Sequence, residues 1–210
     1  MRFLANGRSG LLVECADLDE VIALAGALRA SLPAGVADVV PAASTVLLDF
    51  DSRVTSHARL ADAVRALPLG AISQEAAGEV TLAVAYDGAD LPDIAALTGL
   101  TPAEVVRRHL DATYTVAFVG FAPGFAYLVG GDPALNVPRR MTPRTRVPAG
   151  SVALAGEFSG VYPREGPAGW QLLGRTDARI WDLDRTPPAL LAPGTRVRFV
   201  ALQPGPDDPR

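Results

Sequence analysis

The stretch YTVAFVGFAPGFAYL, Tyr114–Leu128, is where the sequence declares its architecture. Its first eight residues read as a strand, and from there glycine and proline punctuate the chain. Residues 119–175 carry ten glycines and seven prolines in 57 positions, a density that on its own would suit a disordered segment. The aromatics decide against disorder. Phe121, Phe125, Tyr127, Phe158, Tyr162 and Trp170 sit among the turns, and short β-branched runs at Ser151–Leu154 and Arg196–Val200 supply strands. The combination predicts a compact all-β barrel or sandwich with long loops.

Upstream, the pattern switches between periods of two and of 3.6 residues. Leu11–Val13 reads as a strand, and Asp17 followed by Glu20 reads as a capping box opening a helix with Val21, Leu24, Leu28 and Leu32 on one face, stopped by Pro33. Strands follow at Val36–Val40 and Val46–Phe50, then a helix near residues 56–67, a polar linker SQEAAGE at residues 73–79, and a strand at Thr81–Tyr86. The order strand, helix, strand, strand, helix, strand is that of a split βαβ unit. The expectation is an α+β chain: a small split-βαβ-like domain over residues 1–78 and a β-barrel domain over residues 79–210. Residues 93–111 read as two short helices, the second opened by Thr101, Pro102 and Glu104. The pair has the cadence of a DNA-binding helix-turn-helix, but the surrounding strands and the acidic balance favour a helical cap beside the barrel.

Composition excludes several chemistries. The chain has 210 residues, 19 basic residues and no lysine, so a Schiff-base lysine, a phosphate-loop lysine and a lysine general base are ruled out. Two histidines and one cysteine cannot build a zinc or iron-sulfur site, and no metal is expected. A net charge of −4 argues against nucleic acid or an anionic membrane as partner. With no signal-peptide apolar region at the N-terminus and no long apolar run, a cytoplasmic location is expected.

Positive charge is nevertheless concentrated. Residues 1–78 hold six arginines against nine acids, whereas residues 120–180 hold seven against four. Arg139, Arg140, Arg144 and Arg146 fall in one segment, PRRMTPRTRVP, stiffened by Pro138, Pro143 and Pro148. Guanidinium groups pair two-pronged with carboxylate or phosphate, so the segment is either an anion site or a solvated loop with local salt bridges. The turn Gly120, Phe121, Pro123, Gly124, Phe125 and Tyr127 is either a loop wrapped around a ligand or core aromatics beside a tight turn. His109 is the better acid or base of the two histidines, or else a residue that packs a helix end. Ser151 lacks the glycines of a nucleophile elbow, and Cys15 reads as a small buried hydrophobe.

His109, Tyr114, GFAPGFAYL, DPALNVPRRMTPRTRVPAGSVALAG (residues 132–156) and SGVYPREGPAGWQLLGRT (residues 159–176) together carry a resemblance. The chain resembles the family labelled as the B subunit of 5-oxoprolinase, allophanate hydrolase subunit 1 or Kip-type kinase inhibitor, which corresponds to the C and D subdomains of a carboxyltransferase domain. The resemblance implies an N-terminal α+β domain followed by a cyclophilin-like barrel. It implies two partner chains, a C-type 5-oxoprolinase subunit (allophanate hydrolase subunit 2) and an A-type 5-oxoprolinase subunit. It implies a small-molecule reaction in which ATP, shared with or held by the partners, drives the opening of 5-oxo-L-proline to L-glutamate. The chain alone would be inactive. On that basis His109, Arg144 and Tyr162 are candidate catalytic residues; Gly120, Phe121, Pro123, Gly124, Phe125, Tyr127, Arg139, Arg140, Arg146 and Gln171 are candidates for holding substrate or an anion. Two other activities fit the same resemblance: a regulatory protein that inhibits a histidine kinase, and a urea- or allophanate-pathway carboxyltransferase subunit working with a biotin-carrying partner. The sequence departs from the family at Phe158-Ser159, where glutamine and threonine are expected, and at Ala168, where a glycine is.

Overall fold

The computed structural model describes residues 1–69 and 78–202. The chain divides into two compact units, Met1–Glu75 and Ala76–Arg210.

The first unit is a four-stranded antiparallel sheet with two helices. A hairpin, β1 (Arg2–Asn6) and β2 (Gly10–Glu14), precedes helix α1 (Leu18–Ala30); β3 (Val36–Pro41) and β4 (Thr45–Phe50) precede α2 (His57–Ala66). The strand order is β1-β2-β4-β3. Asp17 caps α1 by accepting the Glu20 N–H at 2.8 Å, and Glu20 reaches back to the Ala16 N–H, so two orphan amides of the helix start are satisfied locally. Val21, Leu24, Ala25 and Leu28 bury the helix face against Leu11, Val13, Val46 and Leu48 of the sheet. Leu32 lies past the helix end and is exposed.

The expected strand order needs one change. The fourth strand of the small sheet is the N-terminal hairpin strand β1, and the strand expected at Thr81–Tyr86 belongs to the second unit as β5 (Glu79–Val84). Its Leu82 and Val84 side chains belong to the barrel core, and it pairs in parallel with the strand nearest the C-terminus. The polar linker SQEAAGE lies, over residues 73–77, outside the described residues.

After β5 the second unit places α3 (Leu91–Thr98) and α4 (Pro102–Asp111), the two expected short helices. Thr101 and Glu104 form a reciprocal capping box at α4. Strands and tight loops follow: β6 (Thr113–Val119), β7 (Ala126–Val129), a 3-10 turn at Pro133–Leu135, β8 (Arg144–Val147), β9 (Ser151–Ala155), β10 (Phe158–Val161), β11 (Gly166–Ala168), β12 (Gln171–Arg175) and β13 (Arg196–Ala201).

Seven strands form one sheet in the order β12-β9-β10-β7-β6-β13-β5. Its two edges meet: Ala85 and Arg175 exchange both backbone hydrogen bonds, at 2.8 and 2.9 Å, and thereby close the sheet on itself. The closure continues as Gly88 and Asp90 donate to the carbonyls of Leu173 and Leu172. A Cβ at Gly88 would stand 2.3 Å from the Leu172 carbonyl oxygen, so only glycine permits this approach. Tyr114, Val116, Leu128, Val152, Val161 and Phe199 fill the barrel interior.

Candidate functional site

The loop joining β6 to β7 is the strained element of the barrel. Gly120 donates to the Phe125 carbonyl at 3.1 Å, and Ala122 donates to the Gly120 carbonyl at 2.7 Å, so Phe121 is the central residue of a γ-turn with φ of 66°. Phe121 is the one non-glycine residue with positive φ among the described residues. A bulky side chain in that region costs about 1–3 kcal/mol and persists where the surroundings fix it. Here the turn holds the ring at the surface, 62 % exposed, edge-on to Phe125 at 5.3 Å and to Tyr162 at 6.2 Å.

Beneath that ring lies a cavity of about 250 Å³ lined by Phe121, Phe125, Tyr127, Arg139, Tyr162 and Trp170, with Pro143 and Pro167–Gly169 at its rim. Phe125 packs edge to face on Tyr127, Tyr162 and Trp170 with centroids 5.2–5.4 Å apart, which makes the walls rigid. Pockets for drug-sized ligands begin near ~300 Å³, so this one suits a single small ring. Burial pushes the Tyr162 phenol up to about 12, and burial raises Tyr127 against the opposing charge of Arg139. Both stay protonated at neutral pH and can donate a hydrogen bond but not act as a base.

The arginine segment separates into four different situations. Arg144 grips Asp90 with both Nη groups, and Arg140 also bonds that carboxylate through Nη1. Asp90 is 1 % exposed and accepts a further bond from the Leu172 N–H at 2.7 Å. Burial drives the Asp90 carboxyl up, but the bonds from Arg144 and Leu172 and the charges of Arg144 and Arg140 outweigh it and hold it below the ordinary range. Arg146 pairs with Glu165 at 2.6 Å on the exposed surface. Arg139 has no hydrogen-bond or ion-pair partner among the described residues, and it lines the aromatic cavity. The four arginines of this segment therefore divide: Arg140, Arg144 and Arg146 form the salt bridges of one sequence alternative, and Arg139 lines the cavity.

His109 is placed elsewhere. It is fully buried in the barrel between Tyr114 and Phe199, with ring centroids 5.2 and 4.4 Å away. Tyr86 Oη lies 2.8 Å from Nδ1, and Nε2 lies 3.3 Å from Ser159 Oγ, which itself donates to the Ala153 carbonyl. That chain fits a neutral ring with the proton on Nε2, and burial pushes its pKa down to about 3. Gln171 is buried beside the arginine segment, and its Nε2 donates to the Pro138 carbonyl at 3.2 Å. The structure thus brings together Phe121, Phe125, Tyr127, Arg139 and Tyr162 around the cavity, ties Arg140 and Arg144 to Asp90, and keeps His109 out of the lining. Sequence reasoning did not single out Asp90 or Trp170 as site residues; Trp170 is signalled by the YPREGPAGW motif, whereas nothing local marks Asp90. Among the described residues no cluster of three His, Cys, Asp or Glu side chains could hold a metal, and no helix is long and apolar enough to cross a membrane.

The second unit is thus a closed sheet with two short helices and a cavity under a strained loop. Urea carboxylase from Kluyveromyces lactis shares the fold, with a TM-score of 0.76 at 20 % identity over 96 % of this chain and 22 % of that one. Residues 1–191 match the family of the carboxyltransferase domain, subdomain C and D, and the chain belongs to that family. The crystal structure of TTHA0988 matches with a TM-score of 0.78 at 38 % identity, covering 96 % of this chain and 41 % of that one. The B subunit of 5-oxoprolinase from Escherichia coli O157:H7 is 45 % identical over 129 residues, covering 60 % of this chain and 59 % of that protein. The Haemophilus influenzae protein of the same name is 44 % identical over 113 residues, covering 54 % and 53 %. The match thus spans less than two thirds of the length of these curated relatives.

Proposed function

We propose that the chain is a subunit of an ATP-dependent 5-oxoprolinase, cytoplasmic, and that its aromatic cavity holds the 5-oxo-L-proline ring while partner chains complete the reaction. The observation that carries this reading is the content of the cavity: rigid aromatic walls sized for one ring, a single unpaired guanidinium, and no side chain able to act as a base. A five-membered lactam bearing a carboxylate satisfies the walls and the cation together. The similarity to proteins named as the B subunit of 5-oxoprolinase supports the substrate.

ATP would supply a phosphoryl group to the lactam oxygen, with ADP leaving, so that water could attack the activated lactam carbon and phosphate depart as the ring opens. The cavity does not suit the nucleotide itself, because a triphosphate calls for several cations and Arg140, Arg144 and Arg146 already face carboxylates. This chain's part is binding: Phe121 closes over the ring, Tyr127 and Tyr162 offer phenolic donors, and Arg139 takes the carboxylate. The attacking water, its base and the nucleotide site fall to the A-type and C-type partner chains. His109 stays a buried structural residue in this scheme, and Arg144 a structural cation.

The test is ADP release by the chain co-purified with its neighbouring subunits, with 5-oxoproline, with urea and without substrate. Stimulation by 5-oxoproline, absent for the lone chain, is the expected result. A complex in which 5-oxoproline releases no more ADP than urea or buffer would overturn the assignment.

A further inference from the structure

The segment Pro138–Arg140 is pinned on both sides of Arg139 and nowhere at Arg139 itself. On one side the Pro138 carbonyl accepts from Gln171 Nε2 at 3.2 Å. On the other the Arg140 N–H donates to the Gly169 carbonyl at 2.8 Å, and the Arg140 guanidinium is held by Asp90. Asp90 is in turn fixed by the Leu172 N–H and by Arg144. Every anchor except Asp90 and Arg144 lies in the short stretch Gly169–Leu172, which also supplies the cavity wall through Trp170. Proline at position 138 removes a further backbone freedom. The one side chain in this frame left without a partner among the described residues is that of Arg139, and its charge acts on Tyr127 and Tyr162 across the cavity.

From this geometry we infer that Asp90 and Gln171 are positioning residues that preset Arg139, and that Arg139 alone selects ligands bearing a carboxylate on a small ring. The inference rests on the reading of the cavity as the ligand site, with Arg139 as its cation, and adds to it what holds that arginine and the ligand class it selects. A flexible arginine would lose rotamer and backbone freedom on binding; one whose neighbours are already fixed loses less, so the pinning strengthens carboxylate binding without touching the ligand. Neutral ring ligands, held by the aromatic walls, would be indifferent to it.

The experiment is calorimetric titration of the co-purified complex with two matched pairs of probes: 5-oxoproline against 2-pyrrolidinone, and benzoate against benzamide. Wild-type complex should prefer the carboxylate member. Arg139→Gln, an exposed position with no native partner to lose, should weaken the carboxylate member by about ten- to a hundredfold and leave the neutral member unchanged, as removal of a charge-assisted bond predicts. Gln171→Leu and Asp90→Asn should lower the same preference by a smaller factor, again with the neutral member unchanged. A purely structural role for either would weaken both members together, and either result in one of the two variants decides the matter if the other fails to fold. Equal loss of both members, or a wild-type complex with no preference for the carboxylate in either pair, overturns the inference. A wild-type complex that binds only the benzoate pair with that preference overturns the 5-oxoproline assignment and leaves the inference standing.

Discussion

Arg144 meets Asp90 through two parallel hydrogen bonds, Nη1 to Oδ2 and Nη2 to Oδ1, each 2.7 Å long. The two residues are 54 positions apart, and the carboxylate they share with Arg140 is almost completely buried. Arg144, a candidate catalytic residue by resemblance, thus ties the arginine segment to the start of α3. Asp90 occupies the cap position of that helix yet makes no side-chain capping bond, because its oxygens are taken by the two arginines and the Leu172 N–H.

Replacing Arg144 by alanine should act on stability first. Breaking a buried ion pair costs about 3–5 kcal/mol, and since Arg140 and the Leu172 N–H remain on Asp90 the loss should be nearer ~2–3 kcal/mol. Urea unfolding of the Arg144→Ala chain measures it; an unchanged midpoint with lost ligand binding would return Arg144 to the ligand site.

Phe121→Gly should separate strain from function. Glycine accepts the φ of 66° freely, and the exposed ring contributes little burial, so the melting temperature should hold or rise by the equivalent of about 1 kcal/mol. The same change removes an aromatic contact over the cavity, and KM of the assembled complex should rise about three- to tenfold. A variant that melts markedly lower would contradict the strain.

Two glycines of one motif should respond differently to the same substitution. At Gly120 an added Cβ would meet Tyr127 Cε2 at 3.7 Å, an ordinary contact, so Gly120→Ala should stay within about 0.5 kcal/mol of the parent. At Gly124 the φ is +82° and the Cβ would stand 2.9 Å from Trp181 Cβ, so Gly124→Ala should cost about 2 kcal/mol or more. Paired denaturation curves check the contrast.

Stability should fall with acid in two stages. Burial pushes His109 down to about 3 when folded, below its unfolded value of about 6.5, so the unfolded chain binds the extra proton; stability is intact above pH 6.5 and declines as the pH falls from there toward 3. Asp90, held below its ordinary value of 3.8, adds a loss that begins below that pH and runs through its folded value. His109→Gln should flatten the upper stage and leave the lower one. Unfolding midpoints between pH 8 and about 2 show whether it does.

The features legible in the order of residues alone are those fixed within a few positions of one another. The Asp17 cap, the Thr101 and Glu104 capping box, the α3–α4 pair and the turn-rich aromatic barrel segment all rest on contacts three or four positions apart or on glycine and proline geometry, and each can be read from the order of residues. Composition likewise settled that no lysine chemistry exists here and that positive charge gathers between Pro138 and Pro148. The tertiary structure decided the rest. It moved β5 out of the small sheet, because a strand's partner is chosen by burial and pairing, and this one pairs with β13 more than a hundred residues away. It buried His109 among Tyr86, Ser159 and Phe199, where desolvation outweighs its usual affinity for a proton. And it divided four neighbouring arginines between carboxylates and an open cavity, since the charge a guanidinium presents depends on Asp90 and Glu165, whose positions no local pattern in PRRMTPRTRVP records.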